Sequence, residues 1–296
     1  MQRTSNHSAF QGPAPKQDRL ALQARTFSCM GTVISLTLPS SSGEDELVAA
    51  TAVVERLFAG LDETFSLYRP ESEASRLARA EIRLPDASED MRRLYADAVG
   101  WRLLTEGAFT PERPDGVLDL SGIVKGFAIQ EAGTSLLALG LHDWCLNAGG
   151  DVLVSGSPAP GSIESGKRQP WRAGIVDPED RRTLIAGYPL GGRAGAKLAL
   201  ATSGSAERGD HIWAAGAGSG AGNVTPGRTS TGAGRAAQMF RQVSVAAANI
   251  VTADVLATAI VAGGQPMLDR ATDGWDIEVL AVRTGGGLLA TAGFRR

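Results

Sequence analysis

Cysteine and histidine are scarce in this sequence, which has two cysteines and three histidines among its 296 residues. These small numbers exclude a framework of disulfides and a zinc site built from several Cys and His ligands. Cys29 and Cys145 each lie in an apolar, strand-like stretch, so we predict that both are buried thiols. The chain must therefore depend on a packed core, and it is long enough to form one.

An excess of positive charge is also lacking. The 29 basic residues are outnumbered by 32 acidic residues, and the formal net charge is −3. Proteins that bind nucleic acid or anionic membranes usually present a strongly basic face. We therefore expect neither nucleic acid nor a membrane surface among the partners of this protein.

Long apolar runs are missing as well. Residues 1–20 are polar and lack the hydrophobic segment of a secretory signal, and no stretch reaches the ~20 apolar residues of a transmembrane helix. These features predict a cytoplasmic protein with a disordered tail at 1–20 and a single domain at 21–296. Within that domain, a run of Ala, Gly, Ser and Thr at 214–236 has no apolar periodicity and is predicted to be a mobile loop.

Hydrophobic patterns predict helices and strands in irregular order, which indicates an α+β fold. The sequence has no regular alternation of strands and helices and no G-x-G-x-x-G fingerprint, which counts against a Rossmann-type dinucleotide fold. Apolar stripes of helical period predict helices at 44–61, 88–105, 124–139 and 250–262, with a short helix after Ser72. Strands are predicted at 25–38, 117–120, 144–146, 152–155, 171–176 and 242–248, with hairpins formed by 183–188 and 197–201 and by 275–284 and 287–291.

The stretch 117–156 carries two polar turns that each contain glycine and an aspartate. One passes through Ser121 and Gly122 into the helix at 124–139, and the other is N-A-G-G-D at 147–151. The N–H groups of such turns and of a helix N-terminus favour a phosphate. Two of them around one helix indicate a phosphate or nucleotide site, although each alone is also explained as a tight turn.

Asp254 and Thr258 are one helical turn apart on the predicted helix at 250–262. A carboxylate and a hydroxyl at this spacing point to one place, and Mg²⁺ binds a few such oxygens together with water and phosphate oxygens. A structural explanation also exists, in which Asp254 stabilises the helix start and Thr258 bonds the carbonyl one turn back. Spacing alone favours the structural explanation.

Two basic side chains are candidates for the same chemistry. His211 directly follows Asp210 and is either a general base near neutral pH or a structural histidine. Lys125, at the start of the central helix, either contacts a phosphate or is solvated. The sequence has no Ser, His and Asp in the order of a catalytic triad, no paired glutamates and no cluster of Cys and His, so it gives no sign of a different class of enzyme.

Eight motifs, taken together and in order, resemble those of the FAD:protein FMN transferase family, the ApbE-like flavin transferases. They cover nearly all of the chain from residue 30 onward. The motifs are M-G-T at 30–32, F-S-x-Y-x-x-x-S-x-x-S-x-L at 65–77, G-A-F at 107–109, L-D-L-S-G-I-V-K-G-F-A at 118–128, N-A-G-G-D at 147–151, A-T-S-G at 201–204, H-I at 211–212 and A-D-x-L-A-T-A at 253–259.

The resemblance implies a T-fold-like α+β protein whose mixed or antiparallel sheets, flanked by helices, form a cleft for FAD. It implies a Mg²⁺-dependent transfer of FMN from FAD to a Ser or Thr hydroxyl of an acceptor flavoprotein, with release of AMP. Two alternatives stay open at this point. One is a Mg²⁺-dependent FAD pyrophosphatase that yields FMN and AMP, and the other is a non-catalytic protein that binds or stores FAD.

The resemblance also implies which residues form the site. The metal ligands are expected to be Asp254, Thr258 and the backbone carbonyl nearest to Gly122, while His211 and Asp254 are expected to act in catalysis. Positions that match FAD contacts of the family are Met30, Tyr68, Ala108, Phe109, Thr110, Asp119 and Lys125. Thr110 stands where the family usually has an aspartate. The turn at 147–151 and the segment at 201–204 are expected to line the same cleft.

Overall fold

The computed structural model of the protein describes residues 21–160, 163–164, 167–204 and 239–295. The strands in this part of the chain are β1 (Leu22–Cys29), β2 (Thr32–Pro39), β3 (Trp144–Ala148), β4 (Asp151–Ser155), β5 (Ile163–Glu164), β6 (Lys167–Arg168), β7 (Trp171–Val176), β8 (Leu184–Leu190), β9 (Ala199–Gly204), β10 (Phe240–Ala247), β11 (Glu278–Arg283) and β12 (Leu288–Ala290). The α-helices are α1 (Glu44–Phe65), α2 (Glu73–Ala78), α3 (Glu89–Leu104), α4 (Ser121–Ala138) and α5 (Ile250–Gly274). Short 3-10 helices lie at Leu84–Asp86 and Ala292–Arg295. The predicted tail at 1–20 and loop at 214–236 lie outside the described residues.

Eight strands form one sheet, in the order β1-β2-β3-β4-β9-β10-β11-β12. Every neighbouring pair in this sheet is antiparallel. The predicted α+β fold is confirmed, and its main sheet is antiparallel rather than mixed. Because β4 pairs with β9, with Val152 opposite Leu200, the turn at 147–151 lies beside the A-T-S-G segment at 201–204.

Helices α1, α4 and α5 pack together against one face of this sheet, and the main apolar core lies between the two layers. Helix α4 is buried along most of its length, from Ile123 to Leu136, so little of its surface faces water. Gly133 allows α4 to lie directly on the sheet, since an added Cβ would be 2.9 Å from both the Leu153 and the Trp144 side chains. Burial of this apolar surface is the main favourable contribution to folding.

Helix α5 continues beyond the predicted end at residue 262. Gly264 has a φ of +64°, so the helix is broken there, and Pro266 follows in the first turn of the second segment. The helix is long and apolar enough to cross a membrane, in contrast to the prediction from sequence. However, 56% of its most apolar stretch is buried inside the protein, where it packs against α4, β9 and β10 as a core helix.

A second apolar cluster lies on the opposite face of the main sheet. Its members in β4 and β9, Val152, Val154 and Leu200, alternate along the strands with residues of the main core. The hairpin β7-β8 covers them with Trp171, Ala173, Ile175, Tyr188 and Leu190. Tyr188 also contacts Phe294 of the C-terminal 3-10 helix, with ring centroids 4.6 Å apart. The chain therefore has three layers, with the main sheet in the middle.

Three further elements differ from the sequence-based prediction. The segment at 25–38, predicted as one strand, forms the hairpin of β1 and β2, because the chain turns at Met30 and Gly31, which both have positive φ. Strand β8 pairs with β7, not with the segment at 197–201, which instead joins the main sheet in β9. The eight residues between β8 and β9 are too many for a tight hairpin turn, and each strand has an apolar partner elsewhere. Residues 117–120 form no strand beyond a single bridge between Leu118 and Glu112, and helix α4 already begins at Ser121.

Candidate active site

Lys125 is buried in the second turn of α4, with 7% of its surface exposed. Its Nζ atom makes a direct ion pair with Oδ2 of Asp151 and lies 3.9 Å from Oδ1 of Asp254. A buried ammonium group without a negative partner would strongly destabilise the fold, so these carboxylates are what permit its position. The alternative that Lys125 is solvated is wrong.

Asp151 is the first residue of β4 and is fully buried, with 0% of its surface exposed. Besides the ion pair, its Oδ1 atom accepts a hydrogen bond of 3.0 Å from the backbone N–H of Thr202 in β9. The carboxylate therefore links two strands of the sheet to the helix above them. The Thr202 hydroxyl extends this polar network, since its Oγ1 is 2.8 Å from Oγ of Ser244 in β10.

Asp254 reaches from α5 to α4, where its Oδ2 atom accepts a hydrogen bond of 3.1 Å from the backbone N–H of Gly126. Glycine favours this close approach, because a Cβ at position 126 would be 3.2 Å from Oδ2 of Asp254, so that one of the two groups would have to shift slightly. In an α-helix, the N–H of residue 126 points to the carbonyl of residue 122. We therefore expect the carbonyl of Gly122 to lie on the same side of α4 as the Asp254 carboxylate, and the metal role of both stays a prediction.

The structural explanation for the Asp254 and Thr258 pair does not hold. Helix α5 is capped by Asn249, whose side chain accepts a hydrogen bond of 2.8 Å from the N–H of Thr252. Thr258 is half-buried, and its Oγ1 lies 2.9 Å from Oγ of Ser203 in β9. Both side chains therefore make contacts away from their own helix, toward α4 and the A-T-S-G segment.

The M-G-T motif lies at the tip of the β1-β2 hairpin, against the N-A-G-G-D turn. Gly149 donates a hydrogen bond of 3.1 Å to the carbonyl of Val33, and a Cβ at Gly149 would be only 2.4 Å from Oγ1 of Thr32. Met30 itself has a φ of +50°, a left-handed conformation that side chains rarely adopt. The hairpin tip, including the predicted FAD contact Met30, is thus held next to the turn that leads into Asp151.

Tyr68 follows α1 in an exposed turn, with 82% of its surface accessible. The next residue, Arg69, forms a salt bridge of 2.5 Å with Asp62. Asp62 lies close enough to Cys29 that its charge contributes to raising the pKa of that thiol. Tyr68 therefore stands on the same side of the molecule as the β1-β2 hairpin tip, and its side chain is exposed.

The G-A-F segment packs between the two central helices. Phe109 is buried and limits the space at the N-terminus of α4, where a Cβ on Gly122 would be 3.0 Å from its ring. Ala108 faces the break in α5, since a Cβ on Gly263 would be 3.1 Å from the Cβ of Ala108. The segment is therefore next to the predicted metal site on one side and to α5 on the other.

Asp119 and Thr110 both stabilise local turns. Oδ1 of Asp119 accepts a hydrogen bond of 2.9 Å from the N–H of Ser121 at the start of α4. Oγ1 of Thr110 accepts one of 3.2 Å from the N–H of Glu112. These predicted FAD contacts thus flank the N-terminus of α4, where backbone N–H groups favour an anion. Their roles toward FAD stay predictions.

The donors around Asp254 fit the predicted magnesium site. They are one carboxylate, the Thr258 hydroxyl and a main-chain carbonyl at the start of α4, all of them oxygen donors that Mg²⁺ accepts. Within the described ranges, no group of three or more His, Cys, Asp or Glu residues could hold a metal ion. Such a sparse donor set suits an ion that completes its coordination with water and substrate phosphate. His211 lies outside the described residues.

Comparison with known proteins agrees with this geometry. The sequence profile described as the ApbE family matches residues 30–113 and 111–280. The chain belongs to the ApbE family. The matched segments contain the hairpin tip, the G-A-F segment, the ion pair of Lys125 with Asp151, and the helix that carries Asp254. A comparison with curated proteins gave no match.

Solved structures with the ApbE fold resemble this chain over almost its whole length. The ApbE protein from Thermotoga maritima is 20% identical, with a TM-score of 0.67 over 93% of this chain and 98% of its own. The flavin transferase ApbE from Vibrio cholerae is 21% identical, with a TM-score of 0.65 over 93% and 98%. The flavinyl transferase ApbE from Pseudomonas stutzeri, in its apo form, is 20% identical, with a TM-score of 0.65 over 92% and 95%.

Three polar residues of this site have no individual role in the prediction from sequence. Asp151 and Ser203 belong to the two segments that are expected to line the cleft, whereas Ser244 belongs only to a predicted strand. One signal was available for Asp151, because it opens an otherwise apolar strand, D-V-L-V. A charge in such a strand needs a buried partner, but the sequence does not show that the partner is Lys125.

Proposed function

We propose that this protein is a Mg²⁺-dependent FAD:protein FMN transferase. The observation that carries the proposal is the family match across residues 30–280, combined with a buried Lys125, Asp151 and Asp254 cluster beside the N-terminus of α4. The named flavin transferases of Vibrio cholerae and Pseudomonas stutzeri support it through their shared fold. FAD is the proposed donor, and an acceptor flavoprotein with a reactive Ser or Thr is the proposed partner.

The proposed reaction is a substitution at the FMN phosphorus of FAD. The oxygen of the acceptor hydroxyl bonds to this phosphorus, the bond to the bridging oxygen breaks, and AMP leaves with that oxygen. The hydroxyl proton passes to a base, for which we propose His211. Such phosphoryl chemistry depends mainly on positioning and on electrostatic stabilisation of the transition state.

The residues of this chain have distinct proposed parts in the reaction. Lys125 and the N-terminal end of α4 are proposed to lie nearest the diphosphate, because a helix N-terminus carries partial positive charge. Asp254, Thr258 and the carbonyl of Gly122 would hold Mg²⁺, which neutralises phosphate charge when bound. Met30 and Tyr68 on one side, and Ala108 and Phe109 on the other, are proposed to bind the remainder of FAD.

The test is incubation of the protein with FAD, Mg²⁺ and a protein extract of the source cells. We expect AMP in the solution and a fluorescent protein band that survives denaturation and carries an FMN adduct on Ser or Thr by mass spectrometry. Asp254→Ala should reduce both products by about 100-fold or more, because it removes the proposed carboxylate ligand. Asp273→Ala is the matched control, since Asp273 is an exposed aspartate on the same helix.

The same incubation distinguishes the alternatives. AMP and free FMN in the absence of any acceptor would mean that water is the nucleophile and that the protein is a pyrophosphatase. FAD that stays bound and intact with acceptor and Mg²⁺ present would mean storage. Either result would overturn the proposed transferase. An Asp254→Ala variant as active as the parent would instead overturn the proposed metal role of Asp254.

A further inference from the structure

The turn that ends helix α3 leads directly into the G-A-F segment and has an unusual residue in it. Glu106 has a φ of +53° and Gly107 a φ of +83°. The N–H of Glu106 donates a hydrogen bond of 3.2 Å to the carbonyl of Leu103, and that of Gly107 donates one of 2.8 Å to the carbonyl of Arg102. These two bonds form a Schellman motif, whose first left-handed position is usually glycine. Here it is glutamate, so the turn has a conformation that its own residue disfavours.

Arg270, in the second segment of α5, contacts this turn at two points. Its Nε atom donates a hydrogen bond of 3.1 Å to the carbonyl of Leu104, the last residue of α3. Its Nη1 atom forms a salt bridge of 2.6 Å with Oε1 of Glu106. The end of a helix leaves carbonyls without a partner in the helix and favours a cation. The glutamate therefore makes a contact with α5 that glycine at the same position could not make.

The conformation of the turn also affects the two FAD contacts predicted after it. The carbonyl of Thr105 accepts a hydrogen bond of 3.0 Å from the N–H of Ala108, and its Oγ1 accepts one of 3.1 Å from the N–H of Phe109. Thr105 is buried, and its hydroxyl donates a hydrogen bond of 2.8 Å to the carbonyl of Trp101 in α3. A different backbone conformation at 106–107 would break the bonds from Ala108 and Phe109 and move both residues.

We propose that Arg270 is a positioning residue for FAD binding, which holds Glu106 in its left-handed conformation and so keeps Ala108 and Phe109 in place. This inference rests on the proposed function, in which Ala108 and Phe109 contact FAD. The side chains of Arg270 and Glu106 are 44% and 69% exposed, so their salt bridge adds little to the stability of the fold. Its effect is to raise the population of one backbone conformation of the turn.

The test compares two substitutions that remove the same carboxylate. Alanine disfavours a positive φ as glutamate does, whereas glycine adopts it without steric cost. We expect Glu106→Ala to weaken FAD binding by about 5- to 10-fold, because a smaller fraction of the molecules would have the competent turn. Glu106→Gly should bind FAD within about twofold of the parent. The change in flavin fluorescence on binding, with Mg²⁺ present and no acceptor protein, measures both affinities.

Substitution of the arginine completes the comparison. Arg270→Met keeps most of the aliphatic side chain but has no donor, so it should weaken FAD binding by about 5- to 10-fold in the parent. In Glu106→Gly protein the same change should alter the affinity by less than about twofold, since glycine does not need the salt bridge. Arg83→Met is the matched control, because it removes an exposed salt bridge of 2.9 Å between residues three positions apart and should leave FAD binding unchanged.

Two further measurements separate positioning from a general effect on the fold. In assays of AMP release with acceptor present, the KM for FAD should rise in Arg270→Met while kcat stays within about twofold of the parent. Circular dichroism checks that each variant is folded. If Arg270→Met does not fold, the two substitutions of the exposed Glu106 still decide the question.

The outcomes distinguish this inference from the proposed function. Parent-like FAD affinity in both Glu106→Ala and Arg270→Met would overturn the role of Arg270, while the proposed transferase would stand. Equal losses in Glu106→Ala and Glu106→Gly would also overturn it, because the carboxylate would then act otherwise than through the backbone of the turn. A parent protein that does not bind FAD would overturn the proposed function and this inference with it.

Discussion

Two lysines are buried to almost the same extent in the described part of the chain, yet they are neutralised in different ways. Lys125 and Lys197 have 7% and 8% of their surfaces exposed. Lys125 faces carboxylates that are themselves buried, those of Asp151 and Asp254. Lys197 donates a hydrogen bond of 2.7 Å to the carbonyl of Asp276 and contacts its carboxylate at 2.5 Å, while that side chain is 94% exposed.

Folding stability alone explains the arrangement at Lys197 but not the one at Lys125. Lys197 ties the start of β9 to the segment between α5 and β11, and its partner keeps its hydration. Burying two carboxylates beside Lys125 instead removes three charges from water, and an apolar group of similar size is often as stable or more stable. Folding stability alone therefore does not explain the cluster of Lys125, Asp151 and Asp254.

The largest predicted effect is a difference in stability between the two lysine variants. Lys125→Ala leaves Asp151 as a buried charge without its direct partner and should lower the free energy of unfolding by about 3–5 kcal/mol. Lys197→Ala leaves an exposed carboxylate that water can solvate, so the loss should be about 1–2 kcal/mol, from the hydrogen bond and the packed stem. Urea denaturation followed by circular dichroism measures both. Equal losses of unfolding free energy in the two variants would show that burial of the carboxylate partner does not determine the cost of removing the lysine.

A smaller effect is expected from adding a methyl group where α4 meets α5. Gly126→Ala would place a Cβ 3.2 Å from Oδ2 of Asp254 and 3.3 Å from Cα of Val251. We expect a net loss of about 1 kcal/mol, because overpacking exceeds the gain in helix propensity. Gly100→Ala on α3 is the control, since its Cβ would meet nothing within 4 Å.

The control variant should behave in the opposite direction. Replacing a helical glycine by alanine without a clash stabilises a protein by about 0.5–1 kcal/mol. Thermal melting of both variants provides the measurement. A Gly126→Ala protein that is stabilised as much as Gly100→Ala would mean that the helices can separate without loss, and that the contact between Asp254 and α4 is not tightly constrained.

The smallest predicted effect concerns the two thiols and involves no substitution. Burial raises the pKa of Cys145 to about 12. The pKa of Cys29 is also raised, by burial and then by the nearby charge of Asp62. Because only the thiolate reacts, Cys145 should be alkylated by iodoacetamide at about pH 8.5 at least about tenfold more slowly than Cys29. Mass spectrometry of the labelled peptides would show it, and equal rates would contradict the burial of Cys145.

Much of the fold follows from local patterns. The helices α1, α3 and α4 were predicted from apolar stripes, and the side chains of Ser72 and Ser88 accept hydrogen bonds at the starts of α2 and α3, as a cap does. Both cysteines are thiols as predicted, although they are half-buried rather than fully buried. These features depend on residues that are close in sequence, so the amino-acid sequence alone is enough to predict them.

The errors are of two kinds, since the pairing of β8 concerns distant segments, whereas the turn at Met30 and Gly31 and the early start of α4 are local. The strand β8 has local turn residues that fit a hairpin with the segment after it, but its partner is β7, which offers a longer apolar face. The stretch at 117–120 is apolar enough for a strand, but Asp119 bonds Ser121 and starts the helix early. For β8 the pairing depended on which surface was available to pack against, and periodicity does not record that.

The residues of the candidate site divide in the same manner. Sequence by itself determined the helical spacing of Asp254 and Thr258, the glycine turns and the family, because motif order and period are properties of the chain. Only the tertiary structure decided that Lys125 is buried, that Asp151 is its direct partner and that Asp254 lies against Gly126. Asp254 is 128 positions from Gly126, and the packing of α4 on α5 and of β4 beside β9 brings such groups together. A charge becomes part of this site only when folding removes its water and supplies another charge in its place.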